Sequence, residues 1–246
     1  MIRTHELTKR FGKTNAVDGL TMHVEAGELF GFLGPNGAGK TTTINMLTGL
    51  IRPTSGTATV CGYDIRTDAM QVKAITGFMP DTPHLYETLT GRQFVRFMAD
   101  LYEVDAKRSE SRMEQLLEAF ELTEAADTLI RSYSYGMQKK ILLTAVLVHE
   151  PRVLFLDEPT SGLDPKSART AKELLREQCK QGRTVFMTTH ILEIAERVCD
   201  RIGIISKGKL IAVGTMSELR KMGAADDLSL EDIFLNLTDN DEEKRD

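Results

Sequence analysis

Two groups of residues in this chain have the types and spacing to do chemistry together. The first is Gly34-Pro35-Asn36-Gly37-Ala38-Gly39-Lys40-Thr41, followed by Thr42, which satisfies G-x-x-x-x-G-K-[ST]. Glycines let successive backbone N–H groups curl around phosphate oxygens without Cβ clashes. A helix starting at the lysine aims the positive end of its dipole at the same anion. In such a loop Lys40 reaches the β- and γ-phosphates of a nucleotide, and the Thr41 hydroxyl ligates Mg²⁺. The second group is Asp157-Glu158, which closes the apolar run Val153-Leu154-Phe155-Leu156. A phosphate loop needs a second Mg²⁺ anchor on a neighbouring strand, and Asp157 supplies one, usually through a water. Side chains alternate along a strand, so Glu158 is expected to point elsewhere and to polarise an attacking water. Taken singly, the loop could be a glycine turn before a helix and the acidic pair a solvated strand end. Together they point to nucleotide hydrolysis.

The elements that must hold these groups are legible as changes of apolar period. Leu29 to Leu33 is a short apolar run feeding the loop, and Ile44, Leu47 and Leu50 follow it at helical spacing. That helix stops at Arg52-Pro53. Thr57 to Cys61 and Ala74 to Met79 read as strands. From Thr90 to Val148 the pattern becomes helical: Phe94, Phe97, Met98 and Leu101, then Met113, Leu116, Leu117 and Phe120, then a third helix from Gly136 to Val148. Strands return at Val153 to Leu156 and Thr184 to Thr188, separated by a helix from Pro165 to Lys180. Ile191, Ile194, Ala195 and Val198 mark another helix. Ile202 to Ile205 and Lys209 to Val213 flank Ser206-Lys207-Gly208 as a hairpin. Such alternation implies an α/β fold with a largely parallel sheet covered by helices.

Composition narrows the field. The 246 residues are 41% hydrophobic and 27% charged, an ordinary globular balance that excludes a disordered chain. A formal charge of −5 argues against a nucleic-acid partner. No apolar stretch approaches the roughly 18 residues of a membrane-spanning helix. The opening MIRTHELTKR lacks the apolar segment of a signal peptide. Cys61, Cys179 and Cys199 are scattered and fit reduced thiols of a cytoplasmic core. His5, His23, His84 and His149 have no partner pattern and read as structural or surface residues.

Further motifs follow in an order that resembles the ATP-binding subunit of an ABC transporter over nearly the whole chain. Ser134-Tyr135-Gly136-Met137-Gln138 falls where that family has its signature loop. Ser161-Gly162-Leu163-Asp164 resembles its D-loop, His190 its switch histidine, and Phe11 the aromatic that stacks on adenine. The resemblance implies a P-loop NTPase (RecA-like) core with an N-terminal antiparallel β subdomain and an inserted α-helical subdomain. Residues 1–80 and 150–225 would form the nucleotide-binding core, 81–149 the helical subdomain and 226–246 a C-terminal extension. It also implies ATP and Mg²⁺ as cofactors and a head-to-tail pair of chains. In that pair one chain gives the phosphate loop, Asp157, Glu158 and His190. The other gives Ser134 and Gly136, and Asp164 of the D-loop counts among the cofactor-binding residues.

The chain departs from the family pattern twice. The common signature begins Leu-Ser-Gly-Gly-Gln, whereas this chain has Tyr133-Ser134-Tyr135-Gly136-Met137, so the backbone at Tyr135 must tolerate a Cβ. The family usually has a glutamine after its third strand; here Gly77-Phe78-Met79-Pro80 leads to Asp81. Asp81 could ligate Mg²⁺, face the membrane partner or be a surface turn residue. With the terminal Leu230-Glu231-Asp232-Ile233-Phe234-Leu235, these departures resemble the subgroup paired with ABC-2-type export permeases. The expectation is an ATP-hydrolysing motor at the inner face of the cell membrane. Its partners would be separate integral-membrane permease subunits and a second copy of the chain, with no nucleic acid. The alternative is a soluble ABC-type ATPase acting on ribosomes or nucleic acid. A P-loop kinase would leave the signature loop, the D-loop and His190 unexplained.

Overall fold

Alternating side chains of three central strands divide the interior into two cores. Phe30 and Phe32, Val153 and Phe155, and Phe186 face one side of the main sheet, while Leu29 and Leu33, Leu154 and Leu156, and Val185 and Met187 face the other. A strand covered on both faces must be apolar at every position, which is why these segments read as continuous runs. The computed structural model describes residues 1–222 and 230–235.

The chain order is β1 (Ile2–Phe11), β2 (Thr14–Val24), β3 (Leu29–Leu33), α1 (Lys40–Leu47), β4 (Ser55–Val60), β5 (Tyr63–Asp64), α2 (Ala69–Ile75) and β6 (Thr76–Met79). The helical insert follows as α3 (Gly91–Leu101), α4 (Ala106–Ala119) and α5 (Tyr135–Val148). Then come β7 (Val153–Asp157), α6 (Pro165–Lys180), β8 (Thr184–Thr189), α7 (Leu192–Val198), β9 (Arg201–Ser206), β10 (Lys209–Gly214) and α8 (Met216–Met222). The main sheet has six strands in the order β10-β9-β3-β8-β7-β6, parallel except for the β9–β10 hairpin. A smaller antiparallel sheet, β2-β1-β4-β5, shares its core with the phenylalanine face of the main sheet. Phe186 ties that face together, with ring centroids 5.5, 5.3 and 5.7 Å from those of Phe30, Phe32 and Phe155.

The helical insert packs on the opposite core. Thr90 and Gln93 form a reciprocal capping box that starts α3. Asp105 caps α4 by accepting from the Arg108 N–H. One expected strand is shortened: Ala74 and Ile75 end α2, and only Thr76 to Met79 is extended. Val72 is the buried residue of α2, and Lys73 stands in its last turn, where a positive charge suits the helix dipole. Residues 230–235 are helical, with Leu230 and Ile233 buried in the core on the helical-insert side. The rest of the expected C-terminal extension lies outside the described residues.

Candidate active site at the ends of the parallel strands

Three strands deliver the chemistry to one edge of the sheet. β3 ends in the phosphate loop, β7 in Asp157-Glu158 and β8 in Thr188-Thr189-His190, and β8 lies between the other two. The carboxyl ends of parallel strands are where open α/β sheets bind ligands. Ala16, Asn36, Gly37, Gly39, Lys40, Thr41, Thr42, Asp81, Asp157 and Glu158 line one cleft there.

Local sterics shape the loop. Gly39 caps α1 with φ 109°, and a Cβ at that position would stand 2.3 Å from the Ala16 carbonyl oxygen. Only glycine fits both demands. Lys40 is 8% exposed, and its Nζ donates to the carbonyls of Gly34 (2.6 Å) and Pro35 (3.1 Å). Burial lowers its pKa, opposed by the nearby carboxylates of Glu158 and Asp157. A charged amine held among backbone carbonyls can exchange them for phosphate oxygens at small cost in position.

The acidic pair is built just as closely. The Thr41 hydroxyl donates to Asp157 Oδ2 at 2.6 Å. The Thr188 hydroxyl donates to the other oxygen, Oδ1, across the β7–β8 register that sets Asp157 opposite Thr188. Among the described residues no three His, Cys, Asp or Glu side chains cluster as a metal cage. One hydroxyl and one or two carboxylates beside a phosphate cradle are instead hard oxygen donors of the kind that hold Mg²⁺ with help from phosphate and water. The residues therefore fit that ion.

Glu158 corrects the expectation that strand alternation alone sets its direction. β7 ends at Asp157, and Glu158 has φ 50°, in the left-handed region. That turn of the backbone, not continued pleating, separates the two carboxylates. Its Oε1 lies 2.9 Å from His190 Nδ1, and its N–H donates to the Thr188 carbonyl at 3.2 Å. The Glu158 side chain is 11% exposed, whereas the His190 side chain is 57% exposed. The pair thus has a shielded carboxylate inside and an open imidazole outside.

Other expected residues stand apart from this cleft within one chain. Ser134 is the exposed N-cap of α5, its Oγ accepting from the Met137 N–H at 3.3 Å. Tyr135 opens α5 in an ordinary right-handed helix, so its Cβ is tolerated. Its ring lies against Gly162, bringing the signature and D-loop segments together. Asp164 caps α6, accepting from the Ser167 N–H (2.9 Å) and hydroxyl (2.6 Å), and these bonds lower its pKa. Phe11, at the end of β1, is 53% exposed with Lys9 Nζ 5.0 Å from its ring centre.

Three contributors carried no motif. Ala16 reaches the loop only through the fold of β2. Thr188 is a buried polar residue of β8, which also buries Thr184 and Thr189. Lys139 is the third: its Nζ donates to the Glu158 carbonyl (2.8 Å) and pairs with Asp81 Oδ1 (3.2 Å). Burial lowers its pKa too, with Asp81 pulling the other way. Its place on the helix face that carries Leu142 and Leu143 was the available signal.

A strand, phosphate loop and helix, with a hydroxyl-bound aspartate on the next strand but one, define a P-loop nucleoside triphosphatase. Residues 17–161 match the family described as ABC transporter. The chain is 40% identical over 240 residues to the probable multidrug ABC transporter ATP-binding protein YbhF of Escherichia coli (strain K12), a match covering 96% of this chain and 41% of that protein. It is 40% identical over 219 residues to the linearmycin resistance ATP-binding protein LnrL of Bacillus subtilis (strain 168), covering 89% and 70% of the two chains. A solved ATP-binding subunit of an ABC transporter superposes with a TM-score of 0.93 at 31% identity, covering 97% of this chain and 99% of the other. The chain belongs to the ABC transporter family and spans about two-fifths of the length of YbhF.

Proposed function

We propose that the chain is the motor subunit of a membrane exporter, working with a separate permease at the inner face of the cell membrane. The observation that carries the reading is the junction of Thr41–Asp157 and Glu158–His190 at the ends of neighbouring parallel strands. Lys40 and the loop N–H groups bind the β- and γ-phosphates, and the exposed Phe11 ring stacks on adenine. Thr41 and Asp157 would hold Mg²⁺. When bound, that ion neutralises charge on the phosphate oxygens. Glu158 accepts a proton from the attacking water, and His190 contacts the γ-phosphate and keeps that water in line. Ser134, Gly136 and Asp164 act on the nucleotide of a second copy packed head to tail. ATP thus holds two chains together and hydrolysis loosens them, a shift driven by different affinities for ATP and ADP.

Drug-resistance and multidrug roles in the names of the relatives support export. Among the described residues no helix is long and apolar enough to cross a membrane, and in this reading a separate permease forms the transport path. A groove of about 690 Å³, lined by Leu50, Met70, Phe78, Met98, Leu101 and Tyr102, runs between the core and the helical insert. Its exposed apolar rim suits a cytoplasmic helix of the permease.

The test is co-purification. Tagged Glu158→Gln protein, with ATP and Mg²⁺, is recovered from gently solubilised host membranes. A multi-helix membrane protein in stoichiometric amount is the expected partner. Ribosomal proteins, or no partner in a preparation that binds ATP, would overturn the exporter reading.

A further inference from the structure

Lys139 is the one Asp, Glu, Lys or Arg side chain with no exposure at all among the described residues. It projects from the apolar face of α5, where a leucine or methionine would pack. A buried ammonium is costly even when paired, and apolar replacements of such pairs are often neutral or stabilising. Fold stability alone therefore gives little reason for a lysine here. Its contacts supply one. Nζ donates to the carbonyl of Glu158, whose backbone is the one held left-handed beside the phosphate loop. A non-glycine residue in that region carries a strain of about 1–2 kcal/mol and persists only when its surroundings hold it. Thr188 accepts from the Glu158 N–H, and Lys139 grips the other end of the residue. The same carbonyl also accepts from the Ser161 N–H at 3.2 Å, so the Glu158 backbone is held at both ends, and Lys139 adds a charged side-chain grip to its carbonyl. Asp81, 52% exposed in its side chain and just past β6, supplies the opposite charge for Lys139.

We propose that Lys139 is a positioning residue for Glu158, and that Asp81 serves as its counter-ion. This rests on the hydrolytic reading of Glu158 and goes beyond it. Without the Nζ–carbonyl bond, only the Ser161 N–H still holds that carbonyl among the described residues, and Glu158 can relax towards extended backbone and swing its carboxylate away from His190. The same helix is capped by Ser134, so a shift of α5 on engaging the second chain moves Lys139 as well. The base of one site is thereby tied to the element that reads the other.

The test compares steady-state ATPase of the full-length wild type with Lys139→Met and Lys139→Gln, alongside melting temperature and equilibrium ATP binding. Methionine fills the same space without a donor, and glutamine keeps an N–H of shorter reach. Lys139→Met is expected to lose at least about tenfold in kcat, with KM for ATP changed less than about twofold. Its melting temperature and ATP sites per chain should match wild type. Lys139→Gln is expected to recover several-fold of the lost rate. Asp81→Asn should lower kcat in the same direction while leaving the Mg²⁺ dependence unchanged. A Lys139→Met protein with wild-type kcat overturns the proposal, as does a rate loss that only tracks lost folded protein. Lys139→Gln as slow as Lys139→Met overturns it too, and that variant decides the matter if Lys139→Met fails to fold. A raised Mg²⁺ requirement in Asp81→Asn makes Asp81 a metal ligand and removes it as the counter-ion. A wild-type chain that binds ATP without turnover would remove the hydrolytic reading itself, an outcome distinct from all of these.

Discussion

Gly162 and Tyr135 constrain each other at the residue scale. Gly162 has φ 74°, and a Cβ there would stand 2.5 Å from Tyr135 Cε1. Alanine would therefore meet both a steric clash and an unfavourable backbone region, together about 1–3 kcal/mol. We expect Gly162→Ala to lower the melting temperature by several degrees. Adding Tyr135→Gly should relieve the clash but not the backbone strain, so calorimetry should return part of the loss; no recovery would mean the ring is not the obstacle. This contact was not legible in the sequence, because nothing there says that residues 135 and 162 meet. The phosphate loop and Asp157 were legible, since spacing alone dictates their geometry. Glu158 was legible as a catalytic candidate but not in its orientation: a left-handed residue after a strand leaves no periodic mark. Lys139 was hidden for a similar reason, because a lysine in a helix normally reads as solvated.

At the scale of elements, α5 and α3 meet where His149 stacks on Tyr102, with ring centroids 3.7 Å apart and planes within 7°. His149 is the C-cap of α5, and its Nε2 is buried without a hydrogen-bond partner. Burial pushes its pKa down to about 4. The unfolded chain, with an ordinary histidine pKa near 6.5, binds the proton first as pH falls. Stability from neutral His149 is thus complete above about pH 6.5 and is lost as pH falls towards about 4. Lys73 and Glu103 line the same groove and are its charged lining residues. His149→Phe keeps an aromatic plane on Tyr102 and cannot titrate. Melting curves between pH 4 and 6.5 should therefore fall less steeply for the variant than for wild type; equal slopes would mean that other groups carry the acid sensitivity. The helices of the insert were legible because apolar residues recur at helical spacing through α3 and α4. The α2–β6 boundary was not, since Ala74 and Ile75 suit a buried helix end or a strand equally well.

At the scale of the whole molecule, the proposed head-to-tail pairing makes the catalytic constellation of one chain half a site. Lys40, Thr41, Asp157, Glu158 and His190 gather at the sheet edge, while Ser134 stands exposed at the start of α5, absent from the residues lining that cleft. The Ser134 oxygen accepts a long 3.3 Å bond from the Met137 N–H, which leaves its proton available to an anion. Helix α5 adds its positive end at the same point. Both favour a phosphate brought from outside the chain. Ser134→Ala in the Glu158→Gln background should therefore abolish ATP-dependent dimerisation in light scattering, with monomer ATP affinity within about threefold of the parent. Loss of the cap also destabilises α5 by about 1 kcal/mol, which Ser134→Gly limits to a few tenths. If glycine behaves like alanine in dimerisation, the missing group is the hydroxyl facing the partner's nucleotide, and the capping effect is separated from it. If instead Ser134→Ala weakens ATP binding in the monomer and leaves the dimer intact, Ser134 serves its own chain and the head-to-tail arrangement fails.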